Sequence, residues 1–403
     1  MEVVERPVQL KDSEFYQLVT AKRSRGGIVA RGLLRGDKIL TKTQFRVNYG
    51  DFLISRRQIV HGACGLVPES LDGAIVSNEY AVLHPKEGLL LKYLDYLSHT
   101  HYFQQTCFHS SVGVDIEKMI FKVDRWLGEP IHVPPVEEQQ RVIKIIGTWD
   151  KSLAVCGALI SKYRMVKRSL IAQLLTGPQR LSDCSRMPWE TMALKNIGEV
   201  IRGVSYKPEV DLRSGDGPDT VRLLRAGNIY DGRLNFSELQ YVVRGRCSNA
   251  QLLRSGDVAI CMANGSRELV GKAALFPGSD DHDYTVGAFC AIFRPREEFS
   301  DGFAQYLFET AAYRKRIAVL LAGSNINNLK SSDIERIRVE IPKDRDERSA
   351  VANKIGVVEQ ILVKLIAMQN NLADQRRALI KTLFENGGIR CVEHSRHRRD
   401  CHA

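Results

Sequence analysis

The chain has 403 residues, 44% of them hydrophobic, and carries a formal net charge of +11. That is enough apolar residue for two or three packed domains, and the basic balance favours a polyanionic partner. Nine scattered cysteines form no C-x-x-C pair, which argues against a zinc ribbon and against a disulfide framework, and no apolar run approaches the length of a membrane span. The N-terminus, Met1-Glu2-Val3-Val4-Glu5-Arg6, is charged and lacks the apolar core of a signal peptide.

Residues 1 to 132 read as one mixed domain. Glu14 to Val19 has strand character and leads into a basic loop, Lys22-Arg23-Ser24-Arg25-Gly26-Gly27. The turn Tyr49-Gly50-Asp51 precedes a short buried strand, Phe52 to Ser55, and then a polar loop, Arg56-Arg57-Gln58-Ile59-Val60-His61-Gly62. Ala74 to Leu83 alternates like one strand, and Leu89 to Gln105 predicts a helix with Leu91, Leu94, Leu97 and Tyr102 on one side.

Residues 133 to 177 form the stretch that organises the chain. It opens on Pro134-Pro135 and closes on Thr176-Gly177-Pro178, which bound a helix at both ends. Ile146, Trp149, Leu153, Cys156, Ile160, Tyr163, Leu170 and Leu174 recur at alternating steps of three and four, a heptad seam interrupted only by Lys167. Thr148 to Leu175 as a helix is about 42 Å long.

The same stretch returns at an offset of 209 residues. Ile146, Leu153, Tyr163, Leu170 and Leu174 map onto Ile355, Leu362, Leu372, Leu379 and Leu383, Trp149 onto Val358, and the break Lys167 onto Arg376. Gly147 maps onto Gly356. The segment between, 178–340, replays the order of the first domain: Ser255-Gly256-Asp257-Val258 answers Tyr49-Gly50-Asp51-Phe52, and the helix predicted over Phe303 to Ile317 places Tyr313 where the first copy has Tyr102. An internal repeat of this length sets the fold class as α+β: two α/β domains, at 1–132 and 178–340, and two long helices, at 133–177 and 341–386, that most simply pack on each other. The remainder, 387–403, is a basic tail without apolar period and is expected to be disordered. Its Cys391, His394, His397 and Cys401 do not have the spacing of a standard zinc finger.

No catalytic constellation is present in the sequence. Gly265 to Lys272 imitates a P-loop, but five residues separate its glycines and Ala273 follows the lysine where a hydroxyl should hold magnesium. There is no G-x-S-x-G, no H-E-x-x-H and no spaced nuclease carboxylate cluster.

The order of these parts resembles the specificity subunit of type I restriction–modification enzymes. The resemblance rests on V-P-P-x-E-E-Q-Q before the first helix, Ser-Leu-Ile-Ala-Gln-Leu-Leu-Thr-Gly at its end, a second copy over Ile341-Pro342 to Phe384, the Gly-Asp pairs, and Ser324-Asn325-Ile326-Asn327-Asn328-Leu329. It departs at Asp344-Arg345-Asp346-Glu347-Arg348, which stands where the first copy has Val136-Glu137-Glu138-Gln139-Gln140, and in a first domain without the counterpart of Trp189 to Val200.

The resemblance implies two target-recognition domains, each reading half of a bipartite site in double-stranded DNA. It implies helices that form an antiparallel coiled coil, related by a pseudo-two-fold repeat, which spaces the readers and docks two methyltransferase subunits. Restriction and translocase subunits would join through that complex. The chain itself is then non-catalytic, cytoplasmic, free of membrane and metal, and without a cofactor of its own; S-adenosylmethionine, ATP and magnesium belong to its partners. A solitary paralogue acting as a scaffold or regulator, or a DNA-modifying enzyme with an unrecognised site, are the competing readings.

Within that frame, loop residues able to meet phosphates or base edges are Arg23, Arg25, Arg56, Arg57, Gln58 and His61 in the first domain. In the second they are Arg225, Asn228, Asn264, Ser266, Arg267 and Lys272. The helix residues expected at the docking element are Trp149, Leu153, Tyr163, Leu170 and Leu174, with Val358, Leu362, Leu372, Leu379 and Leu383.

Overall fold

The computed structural model describes residues 1–131, 133–176, 189–278, 281–323 and 327–386. The Pro178-Gln179-Arg180 connector, Ser324 to Ile326, and the Cys/His/Arg tail from Gly387 lie outside the described residues. The chain divides into two compact units, one of Met1–Gly157 with Ala367–Ala403 and one of Ala158–Ile366. Both cuts fall inside a long helix.

In the first unit a four-stranded antiparallel sheet runs Glu2–Val3, Tyr80–His84, Phe52–Ser55, Cys64–Leu66. A five-stranded sheet runs Pro7–Val8, Gln44–Arg46, Ile75–Ser77, Phe15–Ala21, Ile28–Arg35, with one parallel pairing between Phe15–Ala21 and Ile75–Ser77. In the second unit Gly198–Arg202, Cys290–Pro295, Val258–Cys261 and Ala273–Leu275 repeat the first order. Leu212–Arg213, Gln240–Val243, Thr220–Leu224 and Tyr284–Val286 form a second sheet, again with one parallel pairing.

Three sequence expectations are corrected. Ala74 to Leu83 is not one strand: Ile75–Ser77 and Tyr80–His84 lie in different sheets, and a turn at Asn78-Glu79 carries the chain between them. Leu89 to Gln105 is two helices, Leu91–Ser98 and His101–His109, because Thr100 takes an extended backbone and its hydroxyl accepts from the Phe103 amide at 3.1 Å. Phe303 to Ile317 breaks the same way, with Thr310 capping Tyr313 at 3.2 Å. Counted from the capping threonines, Tyr313 therefore answers Phe103, not Tyr102; both side chains are fully buried.

The first long helix begins twelve residues before Thr148, at Val136, directly behind the proline pair, and runs 41 residues to Thr176. That is about 60 Å at 1.5 Å per residue. Glu137 and Glu138 sit in its first turn, where carboxylates oppose the partial positive charge of the free amides. The second runs Arg345–Lys381 and continues as a π-helical turn over Thr382–Asn386.

The seam is buried at Ile146, Cys156, Ile160, Lys167, Leu174, Ile355, Val358 and Leu362. In the first unit Ile146, Ile380 and Phe384 join the core of Phe52, Tyr93 and Trp126. The repeat-equivalent Ile355, Ile171 and Leu175 join the core of Ile260, Phe293 and Tyr306 in the second. Each unit thus closes its core with helix segments taken from both copies of the repeat.

Candidate nucleic-acid interface and helix clamps

Each unit holds its helix pair with one polar clamp. In the first, the Tyr96 hydroxyl donates to Asp150 Oδ2 at 2.6 Å, Arg376 Nε donates to Asp150 Oδ1 at 2.6 Å, and the guanidinium lies 5.7 Å from the Tyr96 ring centre. In the second, the Tyr306 hydroxyl donates to Glu359 Oε2 at 2.8 Å, Lys167 Nζ meets Glu359 Oε1 at 2.7 Å, and Nζ lies 5.9 Å from the Tyr306 ring centre. Asp150 and Glu359 are repeat equivalents, as are Arg376 and Lys167.

Burial pulls the Lys167 ammonium down, but Glu309 and Glu359 outweigh it and hold the group above its ordinary range. A methyl on Gly147 would lie 3.9 Å from the Tyr96 hydroxyl, and one on Gly356 3.8 Å from that of Tyr306, so the repeated glycine marks where each tyrosine meets its helix.

The helices of each pair run antiparallel. In the first unit Asp150 meets Arg376, and seven residues on, Gly157 faces Gln369, seven residues back. In the second, Lys167 and Glu359 continue the same counting. Trp149, Leu153, Leu372, Leu379 and Leu383 are half-buried in the first unit; Tyr163 and Leu170 are half-buried and Leu174, Val358 and Leu362 buried in the second. The seam is spent inside the chain. The helix surface left over is apolar at Ile145 and Val155 in the first unit and at Leu159, Val357 and Val363 in the second.

The Gly-Asp signatures are structural. Asp51 is buried and accepts from the Asn48 amide at 2.7 Å and from Arg6 at 2.6 Å. Asp257 accepts from the Arg254 amide at 2.7 Å and from Arg294 at 2.7 Å. Each carboxylate ties the turn before a central strand.

The loops after those strands carry most of the expected DNA contacts. In the first unit Arg23 Nε donates to Gln58 Oε1 at 2.7 Å, while Glu117 receives Arg23 at 3.1 Å and faces His61 Nε2 at 3.1 Å. Arg57 pairs with Glu79 at 2.6 Å. Arg23, Gln58, His61 and Glu117 are thus joined in one cluster, and the Arg57–Glu79 pair is a second contact on the same loop. Arg56 sits beside it, half-buried, its backbone bonded to Glu79 and Phe121. Arg25 has φ of 59° and lines a separate cavity of about 1000 Å³ with His99, Asp150 and Arg376.

In the second unit an open groove of about 1060 Å³ is lined by Tyr206, Arg225, Asn264, Phe289 and Asn327. Arg225 and Asn264 come together there. Ser266 and Arg267 lie on the exposed continuation of the same loop, and Lys272 is half-buried where it re-enters the sheet. Asn228 is buried: its Oδ1 accepts from the Arg225 amide at 2.9 Å, and its Nδ2 donates to the carbonyls of Asn235 at 2.9 Å and Ser237 at 3.1 Å. Its amide holds the loop from inside.

Glu79 and Glu117 pair with the candidate residues of the first unit, and Tyr206, Phe289 and Asn327 line the groove of the second; the sequence alone did not single them out. Phe289 stands on the turn immediately before the strand Cys290–Pro295. The only local signal is Gly287, which makes that turn.

Gly265 to Lys272 is no phosphate cradle. Arg314 donates to the carbonyls of Val270 and Glu268, and the Tyr313 hydroxyl donates to that of Gly271, so the loop is fixed through its carbonyls from within.

No protein-family model matches the chain. It is 31% identical over 172 residues to the StySPI type I restriction enzyme specificity subunit of Salmonella potsdam, covering 42% of this chain and 36% of that one. It is 31% identical over 173 residues to the EcoKI specificity subunit of Escherichia coli (strain K12), with the same coverage. The match thus spans about a third of the length of these curated relatives. To the MjaVIII specificity subunit of Methanocaldococcus jannaschii it is 20% identical over 410 residues, covering 96% of this chain and 89% of that one. Among solved structures, one described for complex assembly and conformational transition of the type I R-M system aligns with a TM-score of 0.55 at 16% identity, covering 96% and 95% of the two chains. The type I restriction–modification S subunit from M. genitalium aligns at 0.51 and 16%, covering 95% and 96%.

Proposed function

We propose that this chain, related to the type I restriction-enzyme specificity subunits in sequence and in fold, is the non-catalytic DNA-recognition subunit of such an enzyme. The observation that carries the reading is the doubled design itself. One sheet order, one tyrosine–carboxylate–cation clamp and one Gly-Asp turn with a buried aspartate occur twice, while the loops set on them differ: Arg57, Gln58 and Glu79 in one unit, Ala263, Asn264 and Phe289 in the other. A common frame with different solvent-facing side chains suits a pair of readers for two different half-sites.

The two long helices act as an antiparallel coiled coil that sets the gap between the half-sites. Their exposed apolar residues, Ile145 and Val155 in one unit and Leu159, Val357 and Val363 in the other, are the surface on which two methyltransferase subunits dock. Restriction subunits join through the methyltransferase. S-adenosylmethionine, ATP and magnesium are used by those partners, and the DNA target places the complex in the cytoplasm. Among the described residues no helix is long and apolar enough to cross a membrane.

The test is co-expression with the methyltransferase subunits and sequencing of methylated bases. A bipartite methylated motif that requires this chain is expected. Turnover by the purified chain alone would contradict the reading.

A further inference from the structure

Phe289 and Glu79 occupy one position in the two units. Opposite the central strand, Cys290 pairs with Cys261 and Tyr80 with Ser55. One residue outward, the Phe289 carbonyl accepts from the Met262 amide at 2.8 Å, and the Glu79 carbonyl accepts from the Arg56 amide at 2.9 Å. By the same count Asn264 stands where Gln58 stands, and Ala263 where Arg57 stands. The backbone is held in common and the chemistry is changed: a carboxylate paired with an arginine in the first unit, an aromatic ring beside an alanine in the second.

Phe289 is 70% exposed, more than any other Phe, Tyr or Trp among the described residues. Its backbone is nevertheless fixed. The Phe289 carbonyl also accepts from the Ala263 amide at 3.1 Å, the Gly287 amide donates to Leu224 at 2.9 Å, and the Cys290 amide donates to Gly287 at 2.8 Å. Gly203 lets the neighbouring segment close on this turn, since a β-carbon there would stand 2.2 Å from the Gly287 carbonyl oxygen. The protein therefore builds a rigid turn whose one large side chain is left in water, at the edge of a groove that also holds Arg225 and Asn264.

We propose that Phe289 is a specificity-determining residue of the second unit, its ring meeting the 5-methyl group of a thymine in the major groove while Arg225 and Asn264 take neighbouring polar groups of the DNA. This rests on the DNA-recognition reading above. The thymine methyl is the one apolar group that the major-groove edge of a base pair presents, and an exposed ring on a fixed turn suits it. The first unit, with Glu79 and Arg57 in the matching places, is expected to prefer groups that donate or accept hydrogen bonds there.

The experiment uses the full chain with its methyltransferase partners. The motif methylated in cells is mapped for the wild type, for Phe289→Ala and for Glu79→Ala. Phe289→Ala is expected to relax one base-pair position in one half-site, with the other half-site and the gap retained, and Glu79→Ala to relax a position in the opposite half. The wild-type complex is also expected to bind a duplex with uracil in place of that thymine about ten-fold more weakly, and Phe289→Ala to lose the distinction. An unchanged motif in Phe289→Ala, or equal wild-type binding to the thymine and uracil duplexes, overturns the proposal. A wild type that gives no bipartite motif at all defeats the recognition reading itself, and the two failures are told apart by that control.

Discussion

Arg376 reaches from the second long helix to Asp150 on the first, Nε to Oδ1 at 2.6 Å, with its guanidinium 5.7 Å from the Tyr96 ring centre. The polar break in an apolar seam is therefore a built contact. Its equivalent, Lys167, is more enclosed: its side chain is 8% exposed against 18% for Arg376, and it faces two carboxylates, Glu309 and Glu359, each at 2.7 Å. A polar residue at such a position fixes register at a cost in stability.

Removing Lys167 strands two partly buried carboxylates, and loss of one partner of a buried pair costs about 3–5 kcal/mol. Lys167→Met is expected to fall near the lower end, since Glu309 and Glu359 keep some solvent. Arg376→Met should cost clearly less, because Asp150 is more exposed. Denaturant unfolding of the two variants measures the order; equal losses would mean that the clamps do not differ in burial.

His99 and Glu309 hold matching places before the capping threonines and should respond to pH in opposite directions. Burial lowers His99 below its ordinary 6.5; Arg376, Arg25 and Lys92 push the same way and Asp95 opposes. The unfolded chain then takes up the proton first. The His99 contribution is present above about 6.5 and lost as pH falls through the folded value. Burial raises Glu309 above its ordinary 4.5 despite Lys167, so its contribution is largest below that value and declines as pH rises through the folded one. Hydrogen exchange in Leu91–Ser98 and His101–His109, corrected for intrinsic rates, should quicken from pH 7 to pH 5 in the wild type and do so less in His99→Gln.

The gap between half-sites should follow helix length. Seven residues inserted after Gly157 and seven after Met368 keep the antiparallel pairing, because Asp150 and Arg376, and Lys167 and Glu359, remain in step. One heptad adds about 10.5 Å, close to three base pairs at about 3.4 Å each. Methylated-base sequencing should show the same two half-sites with a gap longer by about three base pairs; an unchanged gap with full methylation would detach spacing from the helices.

The repeat was legible because helix periodicity is local, and because Ile146, Leu153, Leu170 and their equivalents keep residue type as well as spacing. The sheets were legible only in part, since the choice of sheet at Asn78-Glu79 depends on partners distant in sequence. Some equivalences left no trace. Gln139 and Arg348 differ in charge and marked a departure from the repeat, yet both are buried and donate to the carbonyl of the proline before their helix, Pro134 at 2.8 Å and Pro342 at 3.1 Å. Exposed loop residues were chosen by type alone. Type does not separate Asn228, which is turned inward, from Asn264, which lines the groove, and it passed over Phe289 altogether.

The central claim is that two copies of one frame read two halves of one site. Exchanging residues 1–132 for the corresponding domain of a related specificity subunit tests it most directly, in cells that supply the methyltransferase, with methylated-base sequencing as the readout. One half-site should change while the other half keeps its sequence. A motif altered in both halves at once, or in neither with methylation intact, would contradict the account.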